Sequence, residues 1–273
     1  SNANTFTGGL TIEQGGIETT LSGTLADNLA IDVRDAGTFI WGSEDAVASL
    51  KNAGITRILA FASLEEVANS GLLDLNAPMV VSGTLTNADI GSVNIAGNAG
   101  AKLGQLGNAG TLTNAGELLV LGTAENAGTV LLAAGSVNRF GALANTGTIG
   151  SDASMVVVDA FDQTAGSTIS SADLTVGGDY RQTAGKVALG TTLKVGGALA
   201  LSDASLNAGE DVSVSGDFTA GSAAFATPAN LLVGGAYSQA SGVADVGGDV
   251  TVGSGIAVDN ASFDVGGTIA TGG

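Results

Sequence analysis

The valines in the second half of the chain are spaced by a fixed 19 residues. Val157, Val176, Val195, Val214, Val233 and Val252 are evenly placed. Two residues before them stand Met155, Leu174, Leu193, Val212, Leu231 and Val250. Four residues after them stand Phe161, Tyr180, Leu199, Phe218, Tyr237 and Ile256. Every slot is apolar, although only 44% of the whole sequence is hydrophobic. A constant period near 20 residues means one small unit stacked many times, which argues against a globular domain built around a single pocket.

Spacing within the unit sets its geometry. Apolar residues two apart share one face of a strand. Small pairs follow the valines from Val176 onward: Gly177-Gly178, Gly196-Gly197, Ser215-Gly216, Gly234-Gly235 and Gly253-Ser254. They read as corners, since glycine admits φ > 0. A second small column (Gly166, Gly185, Ala204, Ala223, Gly242, Ala261) leads into a second apolar column (Val187, Leu206, Phe225, Ala244, Phe263). Each unit therefore holds two or three short strands. Alone it buries little, but stacked at about 4.8 Å its columns form a continuous core. The expected fold class is all-β, a right-handed parallel β-helix (β-solenoid) with about 19 residues per coil. The six-residue subperiod of a left-handed hexapeptide solenoid is not found. At this pitch the whole chain would span ~65 Å.

One polar column accompanies the apolar ones: Asp173, Thr192, Asp211, Asn230 and Asp249. These residue types bond their own backbone in turns, which suits a corner. A calcium ladder is the rival reading, disfavoured because alternate rungs are uncharged. Upstream, Asn-x-Gly or Thr-x-Gly recurs at Asn108, Asn126, Asn145, Thr164 and Thr183. Asparagine tolerates the left-handed region, so these too read as corners. Asn69 and Asn87 read as earlier ones, while Asn98 and Asn114 break the spacing.

This divides the chain. Residues 1–3 read as an expression scar, residues 4–80 as irregular N-terminal coils or a cap, and residues 81–273 as regular repeats truncated at the C-terminal end. The truncation points to an internal piece of a longer protein. Two short helices are expected in the N-terminal part. One spans residues 44–52, after Ser43 and before Gly54. The other is capped by Ser63 with Glu66 returning the bond and is stopped by Gly71. Residues 55–61 read as a strand between them. Trp41 and Phe39, just ahead of the first helix, are the candidate ligand-binding residues.

Composition narrows the chemistry. Net charge is −18, and all eight cations lie at or before Lys194. Nucleic acid is excluded as a partner, because neutralising phosphates needs Lys and Arg. No apolar run reaches the length of a membrane-spanning helix. Histidine and cysteine are both absent, which removes the commonest general base, thiol catalysis and zinc held through sulfur. Asp245 with Asp249, and Asp259 with Asp264, are the carboxylate pairs close enough in sequence for glycosidase chemistry. They occupy solvent-facing or corner slots, and units of constant length leave no room for loops that wall a groove. No catalytic, cofactor-binding or metal-binding residues are assigned, and the chain is not expected to be an enzyme. The column through Thr175 reads Thr, Lys, Ser, Leu, Thr, so no threonine ladder suggests ice binding.

Units such as Gly110-Thr111-Leu112-Thr113-Asn114-Ala115-Gly116, residues 142–149 (ALANTGTI) and the Leu-x-Val-Gly-Gly-x-aromatic rungs resemble the repeats of filamentous-haemagglutinin-type adhesins. These are large secreted β-helix exoproteins of two-partner secretion. Autotransporter passengers and biofilm-matrix adhesins share the texture. The resemblance covers residues 81–273. The Asn-Pro-containing secretion signature of such proteins is missing, as in an internal fragment. The resemblance implies a structural shaft segment of a bacterial adhesin, at the cell surface or secreted. Its partners would be other parts of a longer parent chain and a host or matrix glycan or protein. The alternatives are a glycan- or protein-binding module through the N-terminal region and a β-helix enzyme acting on polysaccharide.

Overall fold

The computed structural model describes residues 8–272, so residues 1–3, read above as a scar, lie outside the described residues. The chain forms two compact units, residues 1–140 and 141–273. None of the described residues is helical. Within each unit the strands pair in parallel, coil upon coil, as a β-solenoid.

The first unit opens with β1 (Leu10–Thr19) and β2 (Ala30–Trp41). Long and short strands then alternate: β3 (Asp45–Asn52), β4 (Ile55–Ile58), β5 (Ala62–Asn69), β6 (Leu72–Leu75), β7 (Met79–Asn87), β8 (Ser92–Ile95), β9 (Gly100–Asn108), β10 (Thr111–Asn114), β11 (Glu117–Asn126) and β12 (Thr129–Leu132). Each long strand pairs with the next long one, and each short strand with the next short one.

The two expected helices are strands. Of residues 44–52, all but Glu44 form β3, and the capping-box segment falls on β5. The misreading has a geometric cause. Each long strand turns a corner, so the two buried residues that flank the corner sit three or four apart instead of two. Leu64 and Val67 flank the corner of β5, and Val81 and Leu85 that of β7. All four are buried, and the β5–β7 and β7–β9 registers shift at these corners. Three-to-four spacing is the signature of a helical face, so a bent strand imitates it. Glu66 does not return a capping bond. Its Oε2 accepts from the Thr84 amide on the next coil at 3.2 Å. Residues 55–61 do contain a strand, β4.

The second unit keeps the 19-residue spacing. Val157, Val176, Val195, Val214, Val233 and Val252 are register partners in succession. Phe161, Tyr180, Leu199, Phe218, Tyr237 and Ile256 form a second column. Thr168, Val187, Leu206, Phe225, Ala244 and Phe263 form a third. A coil thus has three faces. Of the eighteen apolar residues that define the period, all are buried except Ile256, which is half-exposed.

The corner glycines serve a different purpose from the one expected. The Gly-Gly pairs do not adopt positive φ. A Cβ on Gly177 would collide with the carbonyl oxygen of Val158, and one on Gly196 with that of Gly177. Neighbouring coils approach too closely there for any side chain. Positive φ occurs at the other small column, at Gly166, Gly185 and Gly242. Where that column carries Ala204 or Ala261, the left-handed residue is the one before it, Asp203 (φ 50°) or Asn260 (φ 47°). Alanine resists that conformation, and aspartate and asparagine tolerate it.

Candidate functional site

Phe39 and Trp41 sit at the end of β2, and both are fully buried. Their rings meet edge-on, with centroids 5.7 Å apart. Their register partners on β4 are Thr56 and Ile58. The Trp41 indole nitrogen is buried without a hydrogen-bond partner. These aromatics are core packing and present no face to a ligand.

The chemistry of the interior lies in ladders of side-chain amides. In the first unit, five long strands end on an inward asparagine: Asn52, Asn69, Asn87, Asn108 and Asn126. Each of the first four donates its Nδ2 to the Oδ1 of the next, at 2.7, 2.8, 2.8 and 2.8 Å. Each also donates to carbonyls at the corners: Asn69 to Gly71 and Ser92, Asn87 to Gly91 and Thr111, Asn108 to Gly110 and Thr129. A buried amide is costly unless its donors and acceptor are all used, and stacking uses them. The asparagines do mark corners. Their φ angles are not positive, so the reason is the ladder and not left-handed backbone. Sequence reading missed Asn52. Asn114 belongs to another corner, where it donates to Asn138 at 2.7 Å, and Asn98 is an exposed loop residue.

In the second unit the column that starts at Asn145 continues as Gln163, Gln182, Leu201, Ala220 and Gln239. The glutamines are buried. Their Nε2 groups donate to Lys186, Ser205 and Ser262 carbonyls on the next coil at 3.2, 3.1 and 3.3 Å. The Tyr180 and Tyr237 hydroxyls donate to Gln182 and Gln239 at 3.4 and 2.9 Å. Burial pushes both phenols above their ordinary range near 10. A glutamine two residues after an aromatic (Phe161-Asp162-Gln163, Tyr180-Arg181-Gln182, Tyr237-Ser238-Gln239) was the overlooked signal.

The acidic column of the second unit runs outside. Its members bond the next coil rather than their own turn. Asp173 Oδ1 accepts from the amide and hydroxyl of Thr192 at 3.3 and 2.8 Å. Asp211 accepts from the amide and side chain of Asn230 at 2.9 and 3.1 Å. Asn230 Oδ1 accepts from the Asp249 amide at 2.9 Å, and Asp249 from the amide and hydroxyl of Thr268 at 2.8 and 2.9 Å. Hydroxyls of Thr191 and Thr192 hold Asp173 below the usual carboxylate range, and the Thr268 amide and hydroxyl do so for Asp249. The carboxylate pairs picked from sequence are arranged differently. Asp245 is the register partner of Asp264 on an exposed face, and Asp259 accepts from Asn260.

Besides one of about 370 Å³ around Leu10, Ile17 and Leu25, two shallow grooves indent the first unit. One, of about 250 Å³, lies where the coil offset widens to 22 residues between Met79 and Ala101. Lys102, Glu117, Val80 and Leu119 line it together with Asn98, whose Nδ2 donates to the Asn76 carbonyl. The other, of about 270 Å³, crosses the outward face of β7, β9 and β11 between Thr84, Thr86, Gln105, Gly107, Thr123 and Glu125. The ladders leave their amides no spare capacity for a ligand, whereas the grooves offer open polar groups. No protein-family model, curated protein or solved structure matches the chain.

Proposed function

We propose that this chain is a shaft segment of a large bacterial adhesin of the right-handed β-helix type, displayed at the cell surface or secreted. The supporting observation is that side-chain ladders reinforce the backbone pairing along the stacking direction. Asparagines do this inside the first unit, and aspartates with threonine or asparagine outside the second. A part of this kind resists separation of its coils and holds other segments of a longer chain at a distance. The filamentous-haemagglutinin-like texture of residues 81–273 supports the same reading. The test is labelling of intact producing cells with an antibody against residues 81–273. Signal on intact cells or in the medium is expected, and signal only after lysis sinks the proposal.

A second reading is a binding module in the first unit. It no longer rests on Phe39 and Trp41, which are buried, but on the two grooves.

A further inference from the structure

Gly107 is a glycine that the fold does not require. It lies inside strand β9, its φ is not positive, and a Cβ built on it would meet nothing within 4 Å. Several of its neighbours in the first unit are different. At Gly104, Gly110, Gly116 and Gly128 a Cβ would strike the backbone of an adjacent coil. Glycine inside a strand weakens it, and one without a steric reason commonly marks a place where something else approaches the backbone.

The missing side chain leaves a notch. Gly107 pairs with Thr86 on the coil before it and with Glu125 on the coil after it. These two residues, with Thr84, Gln105 and Thr123, wall the groove of about 270 Å³. The volume lies just under the roughly 300–1,000 Å³ of pockets that enclose drug-sized ligands, so it suits one ring of a longer molecule. Thr86, Gln105, Thr123 and Glu125 are exposed, and no protein group hydrogen-bonds their side chains among the described residues.

The lining selects the ligand class. Three threonine hydroxyls and one amide both donate and accept, and Glu125 only accepts. No cation lines the groove, and the chain carries net charge −18, so an acidic ligand meets repulsion without compensation. The only apolar lining residue, Leu106, has its side chain turned into the core, so the apolar side chain of a peptide finds no seat. A molecule rich in hydroxyls and without charge satisfies every group.

We infer that the Gly107 notch binds one residue of a neutral saccharide. This deepens the binding-module reading and does not depend on the shaft proposal. The experiment is a printed array of neutral oligosaccharides (cello-, xylo-, manno- and chito-series) beside oligogalacturonates, followed by calorimetry on the full chain. We expect a neutral oligosaccharide to bind. Gly107→Val, which fills the notch with a residue suited to strands, should weaken it at least about tenfold, with the melting temperature held or raised. Gln105→Ala, which leaves the backbone untouched, should also weaken binding. Failure of every neutral probe, preference for oligogalacturonate, or undiminished binding by both variants would overturn the inference. None of these outcomes alters the surface-labelling result that tests the shaft.

Discussion

The two units solve one problem with different side chains. In the first, coils differ in length, and the successive asparagines Asn52, Asn69, Asn87, Asn108 and Asn126 are 17, 18, 21 and 18 residues apart. Their unbroken amide ladder pins one corner of the coils from β3 to β11, so insertions are absorbed elsewhere, as in the loop carrying Asn98. In the second, the equivalent column is interrupted by Leu201 and Ala220. There the coils keep a constant length, stacked aromatics fill the interior, and the hydrogen-bonded ladder moves to the outer acidic column. A variable repeat needs a specific buried contact to hold register. A constant repeat can rely on shape, with polar ladders added outside.

The largest effect should come from attacking shape. Val214→Asp places an unpaired carboxylate in the valine column of the second unit and should cost about 3–5 kcal/mol. A melting temperature equal to the parent's would mean that the column does not carry that unit. Next is the amide ladder of the first unit. Asn87→Ala strands the Oδ1 of Asn108, while Asn69 keeps its bonds to the Gly71 and Ser92 carbonyls, costing about 1–3 kcal/mol. Denaturant titration followed by emission of Trp41, the only tryptophan, reports on that unit. An unchanged midpoint would show that the ladder is dispensable there.

Glycines give a smaller contrast. Gly196→Ala drives a methyl into the backbone of the preceding coil and should lose about 1–3 kcal/mol. Gly107→Ala, with open space, should be neutral or gain up to about 1 kcal/mol. Equal losses would refute the distinction between close-approach and open glycines.

Alkali should separate the units further. Both tyrosines lie in the second unit, and burial raises their folded pKa above the unfolded value near 10. The stability this contributes is fully present below pH 10 and is lost as pH rises beyond it. Tyrosinate absorbance should appear cooperatively while Trp41 emission stays native. Simultaneous change in both signals would break the comparison. Acid should have the weakest effect. Asp173 and Asp249 have lowered folded values, so their contribution is present above about pH 4 and fades below it. The Asp173→Asn, Asp249→Asn double variant should show a flatter dependence of melting temperature on acid pH.

Much of the second unit was legible because its period is constant: a fixed 19-residue offset assigns each residue its neighbours without any knowledge of the turns. The first unit was less legible. The Ser63–Glu66 capping pattern and the glycine stops at Gly54 and Gly71 read as helix ends, whereas the segments are strands that turn a corner. The asparagines were visible, but their inward direction was not. The grooves had no sequence signal. Gly107 looks like any other glycine until the space around it is seen.

Periodicity by itself determined the stacking of the coils and the burial of the repeated apolar residues, since equal spacing in a parallel stack forces like positions together. Only the tertiary structure decided which polar residues turn inward, which glycines are crowded and which stand open. Those properties depend on contacts between residues about 17 to 22 positions apart, whose geometry is set by the corners.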